Sequence, residues 1–399
     1  MKKTIYSLFT LLALAGTISS CSGDDDGTTP PAENLKDGNI TSQDDPDLDS
    51  AALTGNVSGN VTLTNDQPWT LTGPLAVKDG FTLTIEEGTT INAIAGGTNV
   101  YVVVEQGAKI IADGTAAAPI RFTSAADNPR SGDWGGLLIN GKAPISGGGT
   151  STTEVLPLSY GGTVEADNSG VLDYVILEYT GARINGEKEF NGLTLYAVGS
   201  GTQISNIAIN KGDDDAIEFF GGTVKVTNLL AVDARDDMFD WTQGWTGQGN
   251  SNWYGIRTEG FTAISEDPRG IEADGNLDGN SPSDGGQSNP SISNVTIIND
   301  GIVEMADLVK IRRGSSATIT GLYLGLGNAK ATVGDVIDFT DGRGDANANV
   351  SVTGTLNIAN GLDITSIKLT AAGAGTATLV PGTTSSVDAA SFSWTGIEF

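Results

Sequence analysis

Two neighbouring stretches decide the fold: ISNIAINKGDDDAIEFF (Ile204–Phe220) and VTNLLAVDARDDMFDW (Val226–Trp241). Laid over one another they keep a constant offset of 22 residues, with Ile204 on Val226, Asn206 on Asn228, Ile207 on Leu229, Ile217 on Phe239 and Phe219 on Trp241. The phrase returns as ISNVTI from Ile292 and more loosely as ITGLYL from Ile319, with Asn294 three such periods beyond Asn228. A short-strand repeat of this length, punctuated by Gly-Gly-Thr, is one turn of a solenoid. A single coil cannot bury its apolar face alone. Coils therefore stack about 4.8 Å apart and turn equivalent residues into ladders. The Asn206 and Asn228 amides are expected to stack inside a turn, because Asn tolerates tight turns.

The rest of the chain agrees. Short β-branched runs such as FTLTI, YVVV and GLLIN end at Gly, Asn or Asp, and no segment beyond the leader sustains a helical period. Runs such as VILEY and IEFF are too continuously apolar for a half-solvated sandwich strand. The expected class is all-β, a single-stranded parallel β-helix over 53–399, with a long irregular insertion around 242–290.

The ends speak of location. Lys2 and Lys3 precede the apolar IYSLFTLLALAG, which is too short for a stable span and reads as a signal peptide over 1–20. Cys21, the single cysteine, follows ISS and resembles the lipid acceptor of a bacterial lipoprotein, although Ile18 and Ser20 depart from the commoner residues. SGDDDG behind it resembles the surface-export signal of Bacteroidetes lipoproteins. Residues 21–52 carry few apolar residues and read as a flexible acidic tether. The expectation is a protein held by outer-membrane lipid through Cys21 and exposed at the cell surface.

A wider resemblance rests on GDWGGLLINGKAPI (Gly132–Ile145), DDDAIEFFGGTVKV (Asp213–Val226) and DDMFDWTQGWTGQG (Asp236–Gly249). This series resembles a set of Bacteroidetes surface lipoproteins predicted to be right-handed β-helices, mostly without known activity. The resemblance implies fold and location, and no reaction.

The formal charge is −28, which argues against nucleic acid or an anionic membrane as partner. The 22-residue register divides the acidic cluster. Lys211 falls on Asp233 and Asp213 on Arg235, two expected ion pairs across coils. Asp214 falls on Asp236, Asp215 on Asp237, and Glu218 on Asp240. Like charges directly opposite are destabilising unless compensated. The compensation is either turn amides or a bound Ca²⁺, with Asp214 and Asp236 as its ligands.

Three further readings concern ligands. In DGNLDGN, Asp274, Asn276 and Asp278 precede Gly279 as in the opening of an EF-hand loop, with Asp284 near the closing position. This is a second candidate Ca²⁺ site. Trp245, Trp253 and Tyr254 lie among amides and suit a sugar ring. As an enzyme, the chain would be a polysaccharide lyase or glycosidase using Asp214, Asp215, Asp236 and Asp237, with Arg235 or Lys211 stabilising charge. However, it has no histidine, and nothing in the sequence links Lys310, Arg312 and Arg313 of VKIRRG to Asp214. The preferred expectation is a non-catalytic surface protein that binds a glycan or another surface protein, with Ca²⁺ as the one cofactor considered.

Overall fold

In the computed structural model, parallel pairing begins at Asn39–Ile40, which stacks on Leu53–Val57, and ends at Thr376–Pro381 on Ser351–Ile358. The structure describes residues 36–185, 188–327, 333–358 and 375–399. Cys21, the leader and the first part of the tether lie outside the described residues. The chain winds as a right-handed parallel β-helix, and its strands join one continuous parallel sheet.

The register read from sequence is the register of the molecule. Ile204 pairs with Val226, Ile207 with Leu229, Ile217 with Phe239, and Phe219 with Trp241. Alternate side chains from these strands point inward and form one apolar column from Ile40 to Leu356. Two runs of strands matter for the site. The cleft face comprises Leu137–Asn140, Leu193–Tyr196, Ile217–Phe220, Phe239–Thr242 and Arg269–Ala273, stacked in that order. The opposing run comprises Gly170–Glu178, Gln203–Asn210, Val226–Val232, Asn250–Arg257 and Ser291–Asn299.

The long strands of the second run bend at a left-handed residue, and there the asparagines stack. Asn206, Asn228, Asn252 and Asn294 have φ of 51°, 55°, 59° and 55°. Each amide nitrogen donates down the stack: Asn228 to Asn206 at 2.9 Å, Asn252 to Asn228 at 2.9 Å and Asn294 to Asn252 at 3.1 Å. Asn206 donates to Asp173 Oδ1 at 2.7 Å, which ends the series. Asn suits this corner twice over, since it tolerates left-handed backbone and its amide is both donor and acceptor. Asn294 is two steps beyond Asn228 rather than three, because Asn252 intervenes and one step spans 42 residues.

Two boundaries differ from expectation. The tether gives way to structure well before residue 52: Ile40 is fully buried, and Asp47 accepts from the Asp37 and Gly38 amides at 2.9 and 3.0 Å. Its short Asx-turns supply local hydrogen bonds where apolar residues are scarce. The expected insertion at 242–290 holds two solenoid strands, Asn250–Arg257 and Arg269–Ala273. Their coils are lengthened by loops, which hid the repeat.

The C-terminal segment packs on the outer surface of the second run. Val387 and Phe392 bury against Ile176, Ala208, Leu230 and Tyr254. The Thr395 carbonyl accepts from Arg121 at 2.8 Å, and Thr296 bonds Ser385 at 2.9 Å. This strap ties together coils that are not adjacent.

The asparagine corner yields a prediction. Asn228→Ala loses hydrogen bonds on both sides and strains a left-handed residue, and should cost about 2–3 kcal/mol. Asn228→Gly keeps the backbone freedom and should cost about 1 kcal/mol less. Equal urea midpoints for the two variants would refute the role of left-handed strain.

Candidate functional site

The turn between each second-run strand and the next cleft-face strand carries acidic residues, and coil stacking brings those turns together. Asp214 and Asp215 lie one coil below Asp236 and Asp237, and Glu218 pairs in register with Asp240, which pairs with Glu272. They line a cavity of about 700 Å³. Two groups of carboxylates converge within it: Asp214, Asp215 and Asp236, and then Asp215, Glu218 and Asp240. In each group, one oxygen per residue lies within 4.8 Å of the others. Asp215 belongs to both.

Part of the expected turn chemistry is present. Asp215 Oδ1 accepts from the Asp237 amide at 2.9 Å, and Asp237 Oδ1 from the Arg269 amide at 2.6 Å. Ser265 donates to Asp236 Oδ1 at 2.7 Å, and Asn191 to Glu218 Oε2 at 2.6 Å. Asp240 Oδ1 is buried without a hydrogen-bond partner. Burial and the neighbouring Asp236 charge push the Asp214 carboxyl well above its ordinary range. Asp215, Glu218, Asp237 and Asp240 are pushed the same way, by burial first and by each other's charges next.

Four arginines line the cleft walls, each already engaged. Arg183 reaches Asp213 at 3.0 Å and Asp214 at 3.1 Å, and Arg235 pairs with Asp213 as expected from register. Arg269 bonds Asp307, Asp267 and Glu272. Arg312 bonds Glu272 and Asp274. Burial, with Arg313 and Arg269 beside it, lowers the Arg312 pKa to about 10. The VKIRRG arginine that sequence could not connect to the acidic turns thus stands on the same wall.

Other expectations are corrected. Lys211 does not pair with Asp233, which accepts instead from the Thr258 amide and hydroxyl at 2.8 and 2.9–3.0 Å. Lys211 lines a separate cavity beside the C-terminal strap, so it cannot stabilise charge in the cleft. Trp245 and Trp253 are fully buried core residues: Trp245 stacks on Phe219 at 4.0 Å, and Trp253 packs on Phe239 at 5.0 Å. Their indole N–H groups donate to the Val224 and Val226 carbonyls, both at 3.0 Å. Tyr254 points outward but lies beneath Phe392 and Phe399 of the strap. No sugar can stack on these three. The EF-hand-like loop is also scaffold. Asp274 is held by Arg312 at 2.9 Å and Arg313 at 2.6 Å, and Asn276 bonds Gln287, Ser281 and the Arg313 carbonyl. Asp278 is exposed, and Asp284 meets Gln287 through its backbone carbonyl. The four do not converge.

Sequence reasoning missed Glu154, Arg183, Glu189, Asn191, Arg269 and Glu272. Arg269 and Glu272 follow a lengthened coil, so no offset of 22 leads to them. Glu154 rides on an arm inserted between two coils. Its carboxyl is raised to about 7, by burial and then by Glu189 and Asp278.

A family model described as a pectate-lyase-like beta helix domain matches residues 55–391. The chain belongs to this family. The matched span takes in the cleft, its four arginines and most of the strap. No curated protein and no solved structure matches the chain significantly. Among the described residues, no helix is long and apolar enough to cross a membrane.

The raised carboxyls fix a sign for pH. A native state that holds protons up to a higher pH than the unfolded chain loses stability as pH climbs through that interval. For Glu154 the interval runs from its ordinary 4.5 to about 7. In chelator, the denaturation midpoint should therefore fall steadily from pH 5 to pH 8; a flat profile would show that the cluster is not strained. Trp245→Ala should cost about 3–5 kcal/mol of stability, measured by calorimetry, as expected of a core residue.

Proposed function

We propose that this cleft is a Ca²⁺-dependent binding site for an acidic glycan, carried on a lipoprotein anchored by Cys21 and exposed at the cell surface. The observation that carries this reading is the pair of carboxylate groups joined at Asp215. Oxygens bound to one Ca²⁺ at about 2.3–2.6 Å lie no more than about 5 Å apart, which agrees with their spacing. The donor set is entirely hard oxygen, and the unpartnered Asp240 Oδ1 is an acceptor in want of a cation. Asp214, Asp215 and Asp236 would hold one ion, and Asp215, Glu218 and Asp240 would favour a neighbouring one.

Charge then selects the ligand. Eleven carboxylates and four arginines line the cavity, so without a cation it repels polyanions and is too polar for an apolar guest. Bound Ca²⁺ reverses that field and can bridge to the carboxylates of a uronate-rich polysaccharide. The arginines, locked by their own partners, orient the acidic side chains and offer donors to the sugar at the rim. The kinship to pectate-lyase-like domains points to the same ligand class.

A second reading, cleavage of the bound glycan, draws on one specific observation. Arg269 and Arg312 share the cleft with carboxyls that can hold a proton near neutral pH, the raw material of acid–base work. In that reading Asp214, Asp215, Asp236 and Asp237 act as acid and base.

Affinity electrophoresis through polygalacturonate, alginate and a neutral glucan decides between them. The expected result is retardation by an acidic polymer that requires Ca²⁺ and is lost in Asp214→Asn and Asp215→Asn. Retardation indifferent to chelator would overturn the reading. Release of new sugar ends, abolished by the same substitutions, would establish cleavage. Transfer of Cys21→Ala from the membrane to the soluble fraction checks the anchor.

A further inference from the structure

The cleft is not built from coils alone. Between Leu137–Asn140 and Gly170–Glu178 the chain leaves the solenoid and forms an arm with a small antiparallel pair, Ser151–Thr152 on Ser159–Tyr160. Tyr160 pins it from within: its ring packs on Tyr196 at 4.8 Å and its hydroxyl donates to Gln243 Oε1. Two amides at the base, Ser146 and Gly147, donate to Gln243 and Gly285, both at 2.9 Å. Between the two strands stands Glu154, whose own amide donates to the Tyr196 hydroxyl at 3.4 Å.

Glu154 therefore hangs over the outward residues of the cleft face. It lines the acidic cavity, and it also lines the adjoining cavity of about 320 Å³, which shares Glu218, Asp240 and Glu272 with the first. A third carboxylate above Glu218 and Asp240 is unfavourable unless something positive lies between them. Asn191 gives an independent pointer to a ligand. It is 2 % exposed, its amide head lies against Glu218 at 2.6 Å, and its Oδ1 has no partner. A buried carbonyl-type oxygen beside converging carboxylates is a cation ligand in type.

We propose that Glu154 is the arm's ligand to the cation held by Asp215, Glu218 and Asp240, so that cation loading clamps the arm over that end of the cleft. This inference rests on the cation reading above and goes beyond it. It makes the inserted arm a closing element and assigns the specificity of the cleft's end to a residue outside the coil repeat. A glycan entering from that end must then meet Glu154 and the bound ion together.

Calcium titration calorimetry on the full chain tests it with Glu154→Gln and Asp215→Asn, alongside hydrogen exchange of amides 151–160 with and without Ca²⁺. Asp215→Asn should abolish binding. Glu154→Gln should weaken it on the order of tenfold, one charged ligand fewer, and should lose the Ca²⁺-induced protection of the arm. Unchanged affinity and unchanged protection in Glu154→Gln would overturn the proposal while leaving the cation site intact. No Ca²⁺ binding by the unaltered chain would overturn both. Exchange on the unaltered chain is decisive even if a variant misfolds, because an arm indifferent to Ca²⁺ is not clamped.

Discussion

Parallel stacking in register is the constraint on which everything else in this molecule depends. Each side chain meets its counterpart about 4.8 Å away in the next coil. For an isoleucine or a phenylalanine this is favourable: like shapes nest, and the column from Ile40 to Leu356 fills without voids that need explaining. For a carboxylate it is the reverse. Two like charges about 5 Å apart repel by roughly 3 kcal/mol at an effective dielectric constant near 20. The geometry that builds the core therefore drives the acidic turns into conflict.

The protein meets that conflict in three distinct ways. At the Asn206–Asn294 corner it uses a group that is its own complement, since an amide donates upward and accepts from below without net charge. At Asp213 it interleaves charge, with Arg183 from one side and Arg235 from the other. At Asp214, Asp215, Glu218, Asp236 and Asp240 neither device suffices. Arg183 reaches only Asp214 of these, and the remaining carboxyls respond by moving toward their protonated forms. A strain that is relieved at two corners and retained at the third locates the site more firmly than any single residue type does.

How far the sequence disclosed this follows from where the coil length stays constant. Between Ile204 and Trp241 the offset holds, so the ladders, the Asp213–Arg235 pair and the stacked Asp pairs were all legible. Beyond Trp241 the coils lengthen and the offset fails, which hid Asn252, Arg269 and Glu272. Local composition misled in the same region. Tryptophans among glycines and amides resemble a sugar platform, yet the glycines are turns and the tryptophans fill the core beneath them. Asp274 and Asn276 have the spacing of a calcium loop, but Arg312 and Arg313 arrive from the next coil and take the carboxylate. Only a long-range partner separates a ligand from a brace, and no local pattern contains one.

The absence of histidine gives the cleft its chemical character. A site that must hold or pass protons near neutral pH usually employs imidazole. Here the available groups are carboxyls and guanidiniums, and the guanidiniums are bound to carboxylates on several sides. Proton and cation must therefore compete for the same oxygens. Protons relieve the repulsion one carboxyl at a time, whereas a divalent ion relieves several at once and prefers their ionised forms. Crowding and burial alone thus make the cleft selective for hard multivalent cations, with no softer donor to attract transition metals. The inserted arm then adds a carboxylate where the coil repeat, by its own register, could not supply one.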